Sequence, residues 1–156
     1  MRLSLLVGLL VLSGCATAPA DFHAYDGTRR VSAETARITT DSQLDHEVLI
    51  GLDDRIYITA VNGRDTEGNA REKYPRTVYV LPGTHTLDLV WGNGFIVGHG
   101  CLEIPTEAGR SYIVRQYYPD KQSVRDRKVY LWAEDQDSKQ SVTGTAKDAS
   151  LCGGDG

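Results

Sequence analysis

The sequence predicts an all-β protein, a single antiparallel β-sandwich of about seven or eight short strands. Apolar residues alternate with polar ones at a period of two, which is typical of half-buried antiparallel strands. Turn residues such as Asn62-Gly63 and Pro82-Gly83 separate these apolar runs. No segment carries the stripe of apolar side chains that marks an amphipathic helix. Short strands at this spacing favour two packed sheets.

The alternation assigns a face to each strand. In the first clear strand Ile56, Ile58 and Ala60 alternate with Tyr57 and Thr59. The other residues predicted to face the core are Val78, Val80, Leu87, Leu89, Trp91, Tyr112, Val114, Val129, Leu131 and Ala133.

One hairpin is predicted from its turn. Pro82 presets the φ angle of the second position of a type II turn, and Gly83 supplies the positive φ of the third. Residues 76–81 and 84–91 should therefore pair as a hairpin.

The N-terminus predicts a signal peptide rather than a membrane span. Arg2 precedes an apolar run over residues 3–12, which is too short for a transmembrane helix of about 20 residues. The run ends in Leu12-Ser13-Gly14-Cys15, which resembles the lipobox of bacterial lipoproteins. The resemblance implies cleavage after residue 14, with diacylglycerol and palmitate chains on Cys15. The alternative is an ordinary secretory signal with an incidental cysteine.

Location and domain boundaries follow from this assignment. By the same resemblance, Asp directly after the lipidated cysteine favours the inner membrane, so Ala16 points to the outer membrane and its periplasmic side. Residues 15–34 contain few large apolar side chains and are predicted to be the lipidated N-terminus and a flexible linker. Residues 35–136 are assigned to the sandwich, and residues 137–156 to a C-terminal segment.

The charge of the mature chain restricts its partners. Removing residues 1–14 leaves 16 basic and 21 acidic residues, a net charge of 16 − 21 = −5. Such a surface disfavours nucleic acid. It also disfavours electrostatic docking on anionic lipid, so the acyl chains are the expected membrane contact.

Two cysteines remain after Cys15 is assigned to lipid. Cys101 and Cys152 are predicted to form a disulfide, because the periplasm is oxidising, and this bond would tie the C-terminal segment to the domain. The alternative is a reactive or metal-binding pair of His99 and Cys101, which share one face of a strand. The glycines that flank His99 favour a bulge or tight packing instead.

The remaining candidates for chemistry are weak. His85 is expected to be a hydrogen-bonded, partly buried residue, and His23 and His46 have no partner at metal-ligand spacing. The loop 63–69 and the pair Asp53-Asp54 carry oxygen ligands for Ca²⁺, but their spacing fails the EF-hand pattern. No nucleophile elbow or phosphate loop is present. The sequence predicts no catalytic residue, no metal and no cofactor.

Three motifs resemble those of small PEGA-like lipoproteins. They are Ile58–Gly63, Val80–His85 and Glu107–Tyr112, which look like the family's I-x-x-I-D-G, L-P-G-x-H and a-G-x-x-Y patterns. The resemblance covers roughly residues 36 to 135, and it departs from the pattern at Asn62, where the family has Asp. It implies a transthyretin-like or carbohydrate-binding-like sandwich in the cell envelope, without catalytic residues.

Aromatic residues are the remaining indication of a binding surface. Several lie opposite the apolar set or in loops, namely Tyr57, Tyr74, Tyr79, Tyr117, Tyr118, Tyr130 and Trp132. Tyr130 and Trp132 are two residues apart, so they share a strand face and are the ligand-binding candidates. The opposite assignment, with Trp132 in the core, stays open because indole burial is strongly favourable.

Two functions are compatible with these observations. The first is a non-catalytic protein-interaction or structural module of the cell envelope, anchored in the outer membrane. The alternative is a glycan-binding or peptidoglycan-binding module that uses exposed Tyr and Trp side chains.

Overall fold

A computed structural model of the chain describes residues 21–41, 55–66, 74–92, 97–117, 129–143 and 147–148. These residues form strands and one 3₁₀ turn at Ser32–Glu34. The strands are β1 Phe22–His23, β2 Ala36–Thr40, β3 Arg55–Val61, β4 Arg64–Asp65, β5 Thr77–Val80, β6 Gly83–Gly92, β7 Val97–Thr106, β8 Ser111–Tyr117, β9 Tyr130–Asp135 and β10 Lys147–Asp148.

The strands form two sheets that pack face to face, which confirms the predicted all-β sandwich. One sheet has six strands in the order β1-β5-β2-β8-β9-β10, and the other has four in the order β4-β3-β6-β7. Their pairings are antiparallel except for β1 with β5 and β2 with β8. The core between the sheets contains Ala36, Ile38, Ile56, Ile58, Val61, Val78, Val80, Leu87, Leu89, Trp91, Leu102, Ile104, Tyr112, Val114, Val129, Leu131 and Ala133.

A β-bulge changes one predicted face. Ile56 and Ile58 face the core as predicted, but the pairing of β3 with β6 shifts between Ile58 and Ala60. The extra residue in the bulge reverses the alternation beyond it. As a result Val61, and not Ala60, belongs to the core cluster.

The predicted hairpin at Pro82-Gly83 is wrong. β5 and β6 belong to different sheets, so the chain crosses from one sheet to the other at this point. Gly83 has a φ of 145°, outside the range of a type II turn. The Leu81 carbonyl oxygen instead accepts a hydrogen bond from His85 Nε2 at 2.7 Å, and the Thr106 hydroxyl lies 3.2 Å from it.

The predicted linker also differs from the structure over residues 21–34. β1 pairs in parallel with β5, and Phe22 packs against the core. The His23 ring stacks on Tyr79, with centroids 4.9 Å apart. This part of the N-terminal segment therefore belongs to the folded domain.

Asn62-Gly63 forms a two-residue hairpin turn between β3 and β4. Both residues have positive φ, 52° and 75°, as a type I′ turn requires. The Asn62 side chain also connects this turn to β6, because its Oδ1 accepts from the Thr86 N–H at 2.9 Å and its Nδ2 donates to His85 Nδ1 at 2.9 Å. An Asp at this position would lack the Nδ2 donor.

The two ends of the sandwich differ. The turns Asn62–Gly63, Leu81–Gly83, Glu107–Arg110 and Gln136–Lys139 lie at one end, here called the turn end. At the other end, here called the Tyr117 end, β8 ends and β9 begins, with Tyr117 paired to Tyr130.

Gly98 makes room for the indole of Trp91. The two residues are cross-strand partners, and a Cβ on Gly98 would lie 2.3 Å from Trp91 Cε2. Real Cβ atoms do not approach other atoms so closely, so a side chain here requires the ring or the strand to move. This agrees with tight packing as the reason for a glycine beside His99.

We therefore expect Gly98→Ala to lower the free energy of unfolding by about 1–3 kcal/mol, because it overpacks the core. Urea unfolding of the purified domain measures this change. In a protein that already carries Trp91→Leu, Gly98→Ala should lower the free energy of unfolding by less than it does in the wild type, because the smaller Leu side chain relieves the clash. Strictly additive effects would contradict a direct contact between Gly98 and Trp91.

Candidate functional site on the outer face of strands β8 and β9

The outer face of β8 and β9 carries both predicted ligand-binding residues. Leu131 and Ala133 are buried in the core, and Tyr130 and Trp132 lie half-buried on the opposite side of β9. The alternative with Trp132 in the core is therefore wrong for this structure. Across the strands, Tyr130 is paired with Tyr117 and Trp132 with Arg115.

An ion cluster fixes the position of Trp132. Arg115 lies between two carboxylates, with Nε donating to Glu134 Oε2 at 2.5 Å and Nη1 donating to Asp41 Oδ2. The second oxygen of Glu134 accepts a hydrogen bond from the indole Nε1 of Trp132 at 2.9 Å. Because one carboxylate holds both the guanidinium and the indole, the Trp132 ring is oriented before any ligand arrives.

The ion cluster shifts the pKa values of Glu134 and Arg115. Burial alone would raise the pKa of Glu134, but the hydrogen bonds from Trp132 and Arg115 outweigh it, so the pKa is lowered. The hydrogen bond with Glu134 raises the pKa of Arg115. One guanidinium with two carboxylates leaves a formal charge of −1, so the cluster has no unpaired positive charge for an anionic ligand.

Tyr117 is the most exposed aromatic residue of this face. It is 56% exposed, and among the described residues the other large apolar side chain of comparable exposure is Val31, at the turn end. Tyr117, Tyr130 and Trp132 together form a strip that begins at the Tyr117 end and runs along β9. This aromatic strip presents apolar rings with polar groups at their edges.

The remaining aromatic candidates are elsewhere. Tyr57 is only 7% exposed and packs near Tyr74, with ring centroids 6.1 Å apart on the four-stranded sheet. Tyr79 is covered by His23 at the β1 edge. Tyr118 lies outside the described residues.

The cysteine and histidine candidates do not form a catalytic pair. Cys101 is disulfide-bonded and 7% exposed, on the side of β7 that faces away from the core. It therefore has no free thiol to act as a nucleophile beside His99. Cys15 and Cys152 lie outside the described residues, so the lipidation site and the Cys101–Cys152 pairing stay predictions.

His85 and His23 have structural partners. Both ring nitrogens of His85 are hydrogen-bonded, one to Leu81 and one to Asn62. His23 Nδ1 lies 3.0 Å from the Tyr25 hydroxyl. His46 and Asp53-Asp54 are outside the described residues.

No group of three or more His, Cys, Asp or Glu side chains within the described ranges is placed to hold a metal ion. In the same ranges, no helix is long and apolar enough to cross a membrane.

The sequence did not identify the ion cluster, and it named Tyr117 among the aromatic residues without placing it beside Tyr130 and Trp132. Asp41, Arg115 and Glu134 are far apart in the chain, and only the pairing of β2 with β8 and of β8 with β9 brings them together. A signal was present in β8, where Arg115 and Tyr117 alternate with the buried Val114. This alternation places Arg115 and Tyr117 on one face of β8, but only the pairing with β9 shows that this face adjoins Tyr130 and Trp132.

The chain was also compared with known proteins. No known family, no curated protein and no solved structure matches it.

The lowered pKa of Glu134 predicts a loss of stability in acid. The unfolded chain binds this proton at about pH 4.3, and the folded chain binds it only at lower pH, so stability decreases as the pH falls through that window. Glu134→Gln keeps an acceptor for Trp132 but loses the ion pair. The difference in unfolding free energy between wild type and variant should shrink between about pH 6 and about pH 3.

Urea unfolding at several pH values measures this difference. Glu103→Gln, on the exposed side of β7, is the matched control and should leave the acid dependence unchanged. A pH-independent difference for Glu134→Gln would show that the ion pair does not stabilise the fold.

The partner of Cys101 can be identified by counting thiols. Cys152, the predicted partner, follows β10 by four residues, a span of at most about 14 Å. Denatured, unreduced mature protein should show no free thiol, and Cys152→Ser should release one, on Cys101. A free thiol in the wild type would instead indicate a different pairing.

Proposed function

We propose that this protein is an outer-membrane lipoprotein on the periplasmic side, and that its domain is a non-catalytic interaction module of the cell envelope. The observation that carries the proposal is the apolar N-terminal run ending in Leu12-Ser13-Gly14-Cys15. An acylated Cys15 would supply the membrane contact. Two or three acyl chains anchor a protein stably, whereas one anchors it only marginally.

The structural roles of the candidate cysteine and histidine support a binding function rather than a catalytic one. Cys101, the nucleophile considered from the sequence, is disulfide-bonded. His85, the histidine of the L-P-G-x-H pattern, bonds through one ring nitrogen to Leu81 at the crossing between the sheets and through the other to Asn62 in the β3–β4 turn. These side chains maintain the fold, whereas the aromatic strip lies at the surface, with Tyr117 exposed and Tyr130 and Trp132 half-buried.

The PEGA-like resemblance belongs to the same proposal. It supports an envelope location and a sandwich that displays contact surfaces on its faces and ends. The protein partner would meet the domain on such a surface, with buried aromatic residues as its anchors.

Glycan binding is the second candidate function. The observation that favours it is the strip itself, in which Tyr130 and Trp132 are about 6.4 to 6.8 Å apart along β9 and Trp132 is held by Glu134. Flat rings with polar rims suit neutral sugar faces. Crosslinking in intact cells separates the two candidates, because a protein partner gives a discrete band and a glycan binder co-sediments with sacculi.

The anchor is tested with Cys15→Ala. We expect this variant to lose both fatty-acid labelling and membrane association, since the acyl chains on Cys15 are the proposed anchor. Cells fed a radioactive fatty acid, followed by membrane fractionation, measure both properties. Cys152→Ser serves as the matched cysteine control and should keep the label. Persistent labelling of Cys15→Ala would contradict the lipobox assignment.

A further inference from the structure

We infer that Asn62 and His85 form a proton-sensitive latch at the turn end of the sandwich. The latch is the hydrogen bond in which the Asn62 side chain accepts from the Thr86 N–H of β6. It is closed when the His85 ring is neutral, and uptake of a proton by the ring opens it. All three residues are described by the structure, and none of their contacts depends on the proposed lipid anchor.

A backbone carbonyl fixes the tautomer of His85. Its Nε2 lies 2.7 Å from the Leu81 carbonyl oxygen, which can only accept a hydrogen bond. Nε2 therefore carries a hydrogen and donates it. In a neutral imidazole the second nitrogen then has no hydrogen, so Nδ1 is an acceptor.

A backbone N–H fixes the orientation of the Asn62 amide in the same way. The Thr86 nitrogen can only donate, and it lies 2.9 Å from Asn62 Oδ1. The amide nitrogen Nδ2 is therefore the atom that lies 2.9 Å from His85 Nδ1, to which it donates. The result is one chain of hydrogen bonds with a backbone group at each end, from the Thr86 N–H to the Leu81 carbonyl.

A proton on His85 Nδ1 is incompatible with this chain of hydrogen bonds. The imidazolium donates from both nitrogens, so Nδ1–H would point at Nδ2 of Asn62, which is also a donor. A half-turn of the amide directs Oδ1 to the imidazolium and Nδ2 to the Thr86 N–H. Because a hydrogen bond to a charged group is roughly twice as strong as a neutral one, Asn62 follows the imidazolium and the Thr86 N–H is released to water.

The charged side chains of the four-stranded sheet do not stabilise this proton. Arg64 of β4, beside the turn, forms an ion pair with Asp26 at 3.2 Å. Asp88 and Glu103 are exposed on the outer side of the sheet, whereas His85 lies on its inner side. The crossing between β5 and β6 contains no charged residue.

The groups that follow β7 are also engaged elsewhere. Glu107 forms an ion pair with Arg110 at 3.8 Å. The Tyr112 hydroxyl accepts from the Glu107 N–H, and burial raises the pKa of this phenol, so it stays neutral. Among the described residues, no carboxylate is bonded to His85, and the proton is accommodated by moving Asn62. Histidine changes charge between about pH 5 and about pH 8, so the latch is closed at the upper end of this range and open at the lower end.

Opening the latch changes the turn and leaves the sheet intact. The Asn62 N–H still donates to the Thr86 carbonyl oxygen at 2.8 Å, because that bond involves neither side chain. Leu81 keeps its bond from Nε2 of His85, which carries a hydrogen in both states. The response is therefore confined to the exposed Asn62 side chain, the half-buried imidazole and one backbone N–H.

The test is a pH series by NMR on the full, isotope-labelled chain. At about pH 8, long-range proton–nitrogen correlations of the His85 ring should show the Nε2–H tautomer. The protection of the Thr86 amide against hydrogen exchange, corrected for the intrinsic effect of pH, should fall roughly twofold to tenfold on going to about pH 5, since one hydrogen bond is lost.

Two variants of Asn62 separate the latch from a direct effect of the charged ring on its neighbour. Asn62→Asp accepts from the Thr86 N–H and from the imidazolium at the same time, so Thr86 should stay protected at about pH 5. Asn62→Gly has no side chain, so Thr86 should be poorly protected at both pH values. Asp and Gly both suit the positive φ of a type I′ turn. His99→Gln, at an exposed histidine of β7, is the matched control and should keep the wild-type response.

Three results would overturn the latch. They are an Nδ1–H tautomer of His85 at about pH 8, equal protection of Thr86 at the two pH values in the wild type, and a loss of protection in acid that persists in Asn62→Asp. None of these measurements involves Cys15 or a membrane, so the latch and the proposed function can fail separately.

Discussion

The crossing of the chain between the two sheets at Leu81–Gly83 is the constraint on which the rest of the sandwich depends. It joins β5 of one sheet to β6 of the other, and its Leu81 carbonyl is contacted by side chains from β6 and β7. His85 and Thr106 of the four-stranded sheet thereby hold the backbone where it leaves the six-stranded sheet. A partly buried carbonyl without such partners would be costly, so the positions of these side chains and of the crossing are coupled.

The sequence predicted the faces of strands better than their partners. The period of two placed Leu131 and Ala133 in the core and Trp132 outside it, because alternation depends only on the strand itself. It could not show that β5 and β6 lie in different sheets, since a Pro-Gly pair serves a hairpin and a sheet crossing equally well. It also missed β1, because a two-residue strand carries no periodic pattern.

In the candidate site too, the sequence predicted which residues share a strand face but not which strands are neighbours. Tyr130 and Trp132 could be selected from one strand, because residues two apart share a face. Asp41 and Arg115 could not, because their contact depends on the parallel pairing of β2 with β8. Long-range pairing is a property of the whole fold, and an i, i+2 pattern contains no information about it. The part of the site that orients Trp132 was therefore visible only in the structure.

The three motifs behind the PEGA-like resemblance all act at the turn end. Asn62 closes a hairpin and holds His85, the second motif makes the crossing, and in the third the Tyr112 hydroxyl accepts the Glu107 N–H at 2.9 Å. Burial raises the pKa of Tyr112, as expected for a phenol enclosed in the core. Because every motif maintains backbone geometry at one end, the resemblance describes how the sandwich is closed. If the proposed function holds, partner choice would depend on surfaces that the motifs do not include, and the outer face of β8 and β9 is such a surface.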